Sequence, residues 1–324
     1  MVFNKKIIMN LKWEKLGRPF NPTKIKNISW MQEFAQAPSV IIFDYFVRVY
    51  ISSRPKRDSN GQYKSYTGFV DLDRNNLLSV LRFSEKPILE HGGPGMFDEF
   101  GIYPTSVIKH KNKYLAYYGG WTRCESVPFN VAIGCATSDD GEHFEKVGDG
   151  PTLSYSLNEP FVISGPKIRE FKKGKLELFY ITGSKWLYNN GKPEPIYHIR
   201  HAESFDDGIT WEKSNKDIIP TKLNPYECQA SPDVIYKNDK YHMFFCYRDP
   251  LKRNYRVGYA QATDTNHWIR NDDIAGIDIS KNGFDSEMIA YPHVFELDGK
   301  IYMMYLGNEV GKYGFGLAVL EGDL

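Results

Sequence analysis

Cysteine is scarce. The four in this 324-residue chain stand at 124, 135, 228 and 246, with no CxxC pair and no Cys/His metal spacing. That excludes a disulfide scaffold and a zinc ribbon and leaves reduced, mostly buried thiols. Neither charge sign is in excess: 41 Lys and Arg face 40 Asp and Glu. A nucleic-acid-binding surface needs a basic surplus, so no nucleic acid is expected as a partner, although one concentrated basic pocket remains open. No run approaches the roughly 20 apolar residues of a membrane-spanning helix. The start, Met1-Val-Phe-Asn-Lys-Lys-Ile-Ile-Met-Asn10, has only three apolar residues after its lysines, short of the roughly 7–15 of a signal-peptide core. A cytoplasmic protein without membrane insertion is the expectation. Amphipathic helices of normal length are missing, as are a Gly-rich phosphate loop, a GxSxG elbow and an HExxH pair. No cofactor and no metal is expected.

Aromatics, by contrast, are abundant: 22 Tyr, 20 Phe and 6 Trp, a bias of β-rich folds and of surfaces where rings stack on sugars. An internal repeat organises them. Five prolines, Pro38, Pro104, Pro166, Pro232 and Pro292, each lead an apolar segment at intervals of about 60–66 residues. Proline donates no N–H and suits the first residue of a strand. An aromatic-rich second strand follows each, such as Tyr114-Leu-Ala-Tyr-Tyr118 and Ile301-Tyr-Met-Met-Tyr305. A third strand comes next, and then a polar turn closed by an aromatic, as in Ser138-Asp-Asp-Gly-Glu-His-Phe144. The aromatic is expected to cover its hairpin. Four antiparallel strands repeated five times predict an all-β, five-bladed β-propeller over 1–324, one domain.

The last repeat ends without a fourth strand. Trp13-Glu-Lys15 echoes Phe144-Glu-Lys146 and Trp211-Glu-Lys213, so residues near 11–20 are expected to complete the last blade beside 314–320 and cover an open sheet edge.

In such a ring the segments before the five prolines meet at one mouth. They contain Asp98, Glu99, Glu227, Asp285 and Glu287. The similar offsets of Asp98, Glu227 and Glu287 from their prolines predict a shared pocket in which they are the candidate catalytic carboxylates. Glu227 or Asp98 is read as general acid/base and Glu287 as the second carboxylate; such an acid needs a raised pKa. Candidate substrate-binding residues are Trp121, Arg123, Trp186, Tyr247, Arg248 and Asn308 after the second strands, His198, Arg200 and Arg256 on the third, and Asp285. Arginine forks onto phosphate or carboxylate, and the two tryptophans could stack on a sugar ring.

These repeats, with Glu227-Cys228 followed by Pro232-Asp233 and with Arg248-Asp249-Pro250, resemble the five-bladed glycosidase superfamily of glycoside hydrolase families 43, 32, 68 and 130. In family 32 the Arg-Asp-Pro motif precedes the Glu-Cys motif, the reverse of the order here, so Asp249 is not carried over as catalytic. A closer match is to uncharacterised glycosidase-like proteins encoded beside surface-polysaccharide genes. It rests on Phe97-Asp98, Gly120-Trp-Thr-Arg123, Lys192-Pro-Glu-Pro-Ile-Tyr-His-Ile-Arg200, Asp285-Ser-Glu-Met288 and Gly314-Phe-Gly-Leu-Ala318. The resemblance implies a role in polysaccharide metabolism. Blade one, however, reads Phe34-Ala-Gln36-Ala37-Pro38 and blade three Ser164-Gly165-Pro166, without the acids of a family-43 hydrolase.

The leading reading is a carbohydrate-active enzyme that cleaves or transfers a glycosyl group, glycosidase- or phosphorylase-like, with a sugar phosphate or sugar nucleotide as the anionic partner. The alternatives are a non-catalytic glycan- or sugar-nucleotide-binding module and a sugar-modifying lyase or isomerase on the same scaffold.

Overall fold

A computed structural model describes residues 10–252 and 254–324. Residues 1–9, most of the stretch read above for a signal peptide, lie outside the described part. Five four-stranded antiparallel sheets are arranged as a β-propeller. The innermost strands are Glu33–Ile42, Gly101–His110, Phe161–Lys172, Cys228–Lys237 and Ala290–Leu297. No helix among the described residues is long and apolar enough to cross a membrane. Trp13–Phe20 is the outer strand of the last blade, pairing antiparallel with Phe315–Leu320 from Trp13 opposite Leu320 to Phe20 opposite Phe315. The closure expected near residues 11–20 is therefore the one observed.

The fourth-strand aromatics do more than cover hairpins. Phe144 of blade two packs on Tyr50 of blade one, Trp211 on Tyr117, Trp268 on Phe179 and Trp13 on Phe244. All four contacts are edge-to-face, with centroids 5.4–6.2 Å apart. Each reaches back to the preceding blade, so the repeat locks sheet to sheet. Such pairs contribute about 0.5–1.5 kcal/mol each beyond burial.

The prolines sit inside their strands, not at the first residue as expected. The pairing register slips at every one of them: between Gln36 and Ser39, Ile102 and Thr105, Ser164 and Lys167, Ala230 and Asp233, and Ala290 and His293. A bulge leaves a residue unpaired and so accommodates a residue without an N–H. Four of the residues before these prolines, Ala37, Gly165, Ser231 and Tyr291, have φ of +50° to +62°. The bulge bends the strand and re-aims the side chains around it.

The residues just after the prolines, Ser39, Thr105, Lys167, Asp233 and His293, are all buried. The last three form an ionic plug. Asp233 accepts from Arg169, from Lys167 Nζ at 3.2 Å and from His293 Nδ1 at 2.6 Å. Val40 N–H donates to His293 Nε2 at 2.9 Å, which fixes the imidazole proton on Nδ1. Burial pulls His293 down to about 4, outweighing the attraction of Asp233. A buried histidine kept neutral favours the folded state above its ordinary value, and that stability is lost as pH falls from 6.5 toward 4. Between pH 6.5 and pH 5 the loss from this group is about 1.5 kcal/mol. Denaturant titrations at both pH values are expected to show it, and His293→Gln should flatten the difference by that amount.

Candidate functional site

Above the plug, at the mouth reached by the segments before the prolines, lies a cavity of about 410 Å³. Arg54, Arg57 and Arg123 line it, and no Asp or Glu does. Arg54 ends the second strand of blade one, Phe46–Arg54. Its guanidinium lies over the rings of Phe34, Tyr63 and Tyr103 at 4.7, 5.3 and 5.5 Å. Its Nε donates to Ser65 Oγ at 3.0 Å, and among the described residues no carboxylate pairs with it. Burial lowers its pKa, as removal of a cation from water must. Arg57 lies over Tyr63 at 4.6 Å. Arg123 lies over Phe100 at 4.3 Å, donates to the Tyr63 carbonyl at 3.2 Å and meets Asp58 at 3.5 Å. Trp121, opposite Gly101 in register, forms one wall. A Cβ on Gly101 would fall 1.7 Å from the indole nitrogen, so the bare backbone is what admits the ring.

Tyrosines from four blades run across the base of this mouth. Tyr103 neighbours Tyr291, with centroids 6.4 Å apart, and Tyr291 neighbours Tyr255 at 6.3 Å. The hydroxyls of Tyr255 and Tyr197 bond to each other. Burial pushes Tyr197 up to about 12 and raises Tyr255 and Tyr291 well above the ordinary phenol value. These phenols stay protonated at neutral pH and act as hydrogen-bond donors and acceptors without charge.

The acids are elsewhere. Asp98, Glu227 and, in blade five, Asp285 in place of the Glu287 that the offsets selected come to equivalent places, and those places are interior to the blades. Each is at most 2% exposed and ion-paired with the fourth strand of its own blade: Asp98 with Lys146 at 2.6 Å, Glu227 with Arg270 at 2.6 Å and Asp285 with Lys15 at 2.7 Å. Glu159 does the same in blade three with Lys213. A second-strand tyrosine completes the clasp: Tyr118 on Asp98 at 3.2 Å, Tyr180 on Glu159 at 2.7 Å and Tyr305 on Asp285 at 3.1 Å. In blades two and five this tyrosine lies opposite a third-strand glycine, Gly134 or Gly316, where a Cβ would come within 2.4–2.6 Å of the ring. Blade four has Phe245 opposite Gly258. There Glu227 instead accepts from Gln229 at 3.0 Å and from the Lys222 and Leu223 N–H groups at 3.1 and 2.9 Å. Burial would raise the Glu227 carboxyl, but Arg270 and these donors outweigh it and hold it below the ordinary range. Glu287 is exposed and does not line this cavity. The expectation of one pocket shared by Asp98, Glu227 and Glu287 is thus corrected: a position repeated in blades two to five serves the blade's own interior.

Of the residues expected to bind substrate, Trp121 and Arg123 line the cavity. Trp186 stands behind Phe129 of the lining, edge-to-face at 5.7 Å. Arg248 lies over Tyr255 at 5.4 Å and meets Glu194 at 3.3 Å. With Tyr247 and Arg256 it faces a separate hollow on blade four. His198 and Arg200 are turned to Asp217, at 2.9 and 3.0 Å. Asn308 holds the Glu287 and Met288 N–H groups at 2.8 and 3.3 Å. Arg54, Arg57, Tyr63, Tyr103, Tyr197 and Tyr291 were not singled out from sequence. Arg54 follows the blade-one second strand as Arg123 and Arg248 follow theirs, and that equivalence was the available signal.

Glu177, His201 and Glu203 gather closely enough to suggest a metal. Lys175 Nζ already bonds both glutamates, at 2.9 and 2.8 Å, and supplies the positive charge there.

The family model "Glycosyl hydrolases family 32 N-terminal domain" matches residues 103–314. "Uncharacterized protein Rv1502" of Mycobacterium tuberculosis strain H37Rv is 34% identical over 311 residues, covering 95% of this chain and 99% of that protein. Among solved structures, one described as a glycoside hydrolase superposes with a TM-score of 0.74 at 17% identity, over 97% of this chain and 93% of that one. A β-1,2-mannobiose phosphorylase from Listeria innocua, in complex with β-1,2-mannobiose, gives 0.69 at 14% identity, over 96% of each chain. At such identities the likeness concerns the fold.

Proposed function

Because the chain belongs to the glycosyl hydrolases family 32 N-terminal domain family, we propose that it acts on a glycoside bearing a phosphate or carboxylate, bound in the upper mouth by Arg54, Arg57 and Arg123. The observation that carries this reading is the convergence of three arginines on a cavity with no acidic lining. Arg54, the most enclosed by rings, keeps guanidinium N–H groups without a carboxylate partner among the described residues. A half-buried cation without a counter-ion still carries part of its desolvation cost, and an anionic ligand would offset it. The aromatic walls, Trp121 and Tyr63 among them, suit the faces of a sugar ring.

Ordinary glycoside hydrolysis uses two carboxyls flanking the bond, and none lines this cavity. A donor whose leaving group is a phosphate needs no general acid, because arginine can hold the departing charge. That favours glycosyl transfer from a glycosyl phosphate over hydrolysis or phosphorolysis of a glycoside, in both of which the departing sugar oxygen needs a proton. In this reading Asp98, Glu227 and Asp285 hold blades together and take no part in proton transfer.

Calorimetry with a panel of sugars and their 1-phosphates tests the proposal. One desolvated charged contact contributes about 1.5–3 kcal/mol, so at least one phosphate is expected to bind roughly tenfold or more tighter than its neutral parent. Equal affinity throughout the panel would contradict it.

A further inference from the structure

Five hydroxyl-bearing side chains line the cavity: Tyr63, Tyr103, Ser164, Tyr197 and Tyr291. Of these five, only Tyr63 has its hydroxyl on a described carboxylate, donating to Glu33 Oε2 at 2.6 Å. Tyr197 bonds another phenol, and burial holds Tyr103 and Tyr291 protonated. Tyr63 also lies under two guanidiniums, Arg54 at 5.3 Å and Arg57 at 4.6 Å. A hydroxyl with a base in hydrogen-bond reach and cations beside it is the arrangement that activates a nucleophile. Glu33 stands opposite Arg54 across the first two strands of blade one, so the same pair of strands positions base and anion-binding cation.

We infer that Tyr63 is the nucleophile of this site and Glu33 its base, in glycosyl transfer from a glycosyl phosphate ester such as a sugar 1-phosphate or sugar nucleotide. The inference rests on the anion-binding reading above. In the first step Tyr63 Oη bonds to the anomeric carbon and its proton passes to Glu33. The anomeric carbon–oxygen bond to phosphate breaks, and its electron pair leaves with the phosphate, held by the arginines. In the second step an acceptor hydroxyl or water bonds to the same carbon. The bond to Tyr63 breaks with its pair returning to Oη, Glu33 returns the proton, and the acceptor's proton goes to solvent. Tyrosine serves where a carboxylate nucleophile would be repelled by an anionic donor.

Tyrosine reactivity reads this directly without knowledge of the sugar. The full chain is treated with phenylmethanesulfonyl fluoride, and modified peptides are mapped by mass spectrometry over time. Tyr63 is expected to react at least about tenfold faster than Tyr45, which is 85% exposed, and roughly 100-fold slower in Glu33→Gln, the low end of what positioned bases supply. Inorganic phosphate should slow the labelling. Tyr63→Phe keeps the ring beneath both guanidiniums, and it should keep phosphate binding while losing the label. Labelling of Tyr63 no faster than Tyr45, or at one rate in wild type and Glu33→Gln, overturns the assignment. Labelling that depends on Glu33 but is not slowed by phosphate supports the pair and overturns the anion-binding reading instead.

Discussion

Glu227→Gln is expected to lower the unfolding free energy by about 3–5 kcal/mol, the usual cost of removing one partner of a buried ion pair. The carboxylate is fully buried and answers Arg270 at 2.6 Å. The amide matches it in size but carries no charge, so Asp272, at 2.9 Å, would be the one described carboxylate left on Arg270. Two of the groups around Glu227 are backbone N–H donors, and half of an amide presents hydrogens to such donors. The effect should appear in denaturant titrations as a lower midpoint with an unchanged slope. Affinity for a sugar phosphate should stay within about twofold of wild type, since Glu227 does not line the upper cavity. A variant with unchanged stability and abolished turnover would return Glu227 to the chemistry.

The second large effect is expected from Arg54→Glu. Removing the guanidinium forfeits a contact of about 1.5–3 kcal/mol, and a like charge facing the ligand adds a penalty of several kcal/mol. Sugar phosphate binding should weaken by roughly 100-fold or more, while the neutral parent sugar should change little. A cost to stability of about 1 kcal/mol is expected as well, because the new carboxylate stands opposite Glu33, while the lost bond is one to the neutral Ser65 hydroxyl. Equal weakening of charged and neutral ligands would mean that the substitution had disturbed the aromatic wall and not an anion contact.

Much of the fold was legible because propeller geometry repeats itself in sequence. The prolines mark bulges that recur in all five inner strands, and the Trp13-Glu-Lys15 echo identifies the closing strand. The same echo contained the clue to the acids. Lys15, Lys146 and Lys213 of the three copies are the cations that neutralise Asp285, Asp98 and Glu159 in turn, each within its own blade. Reading the acids by offset alone located Asp98 and Glu227 at equivalent positions and took Glu287 for Asp285 in blade five, but equivalence also describes an interior clasp. The deciding partner is distant in the chain, 54 residues away in blade three and 270 in blade five. The mouth itself breaks the repeat. Arg54, Arg57 and Tyr63 belong to blade one, which carries Ile51 opposite Gly68. The other blades carry a ring there, opposite glycine or, in blade three, opposite Arg200. A site built from what one blade does differently leaves no periodic signal.

The most direct test is a crystal soaked with a sugar 1-phosphate that binds in the calorimetric panel. The account predicts the phosphate within hydrogen-bond distance of Arg54 and Arg123, with the sugar against Trp121 or Tyr63 and its anomeric carbon facing the Tyr63 hydroxyl. A phosphate bound instead in the blade-four hollow by Arg248 and Arg256, with the upper mouth empty, would contradict it.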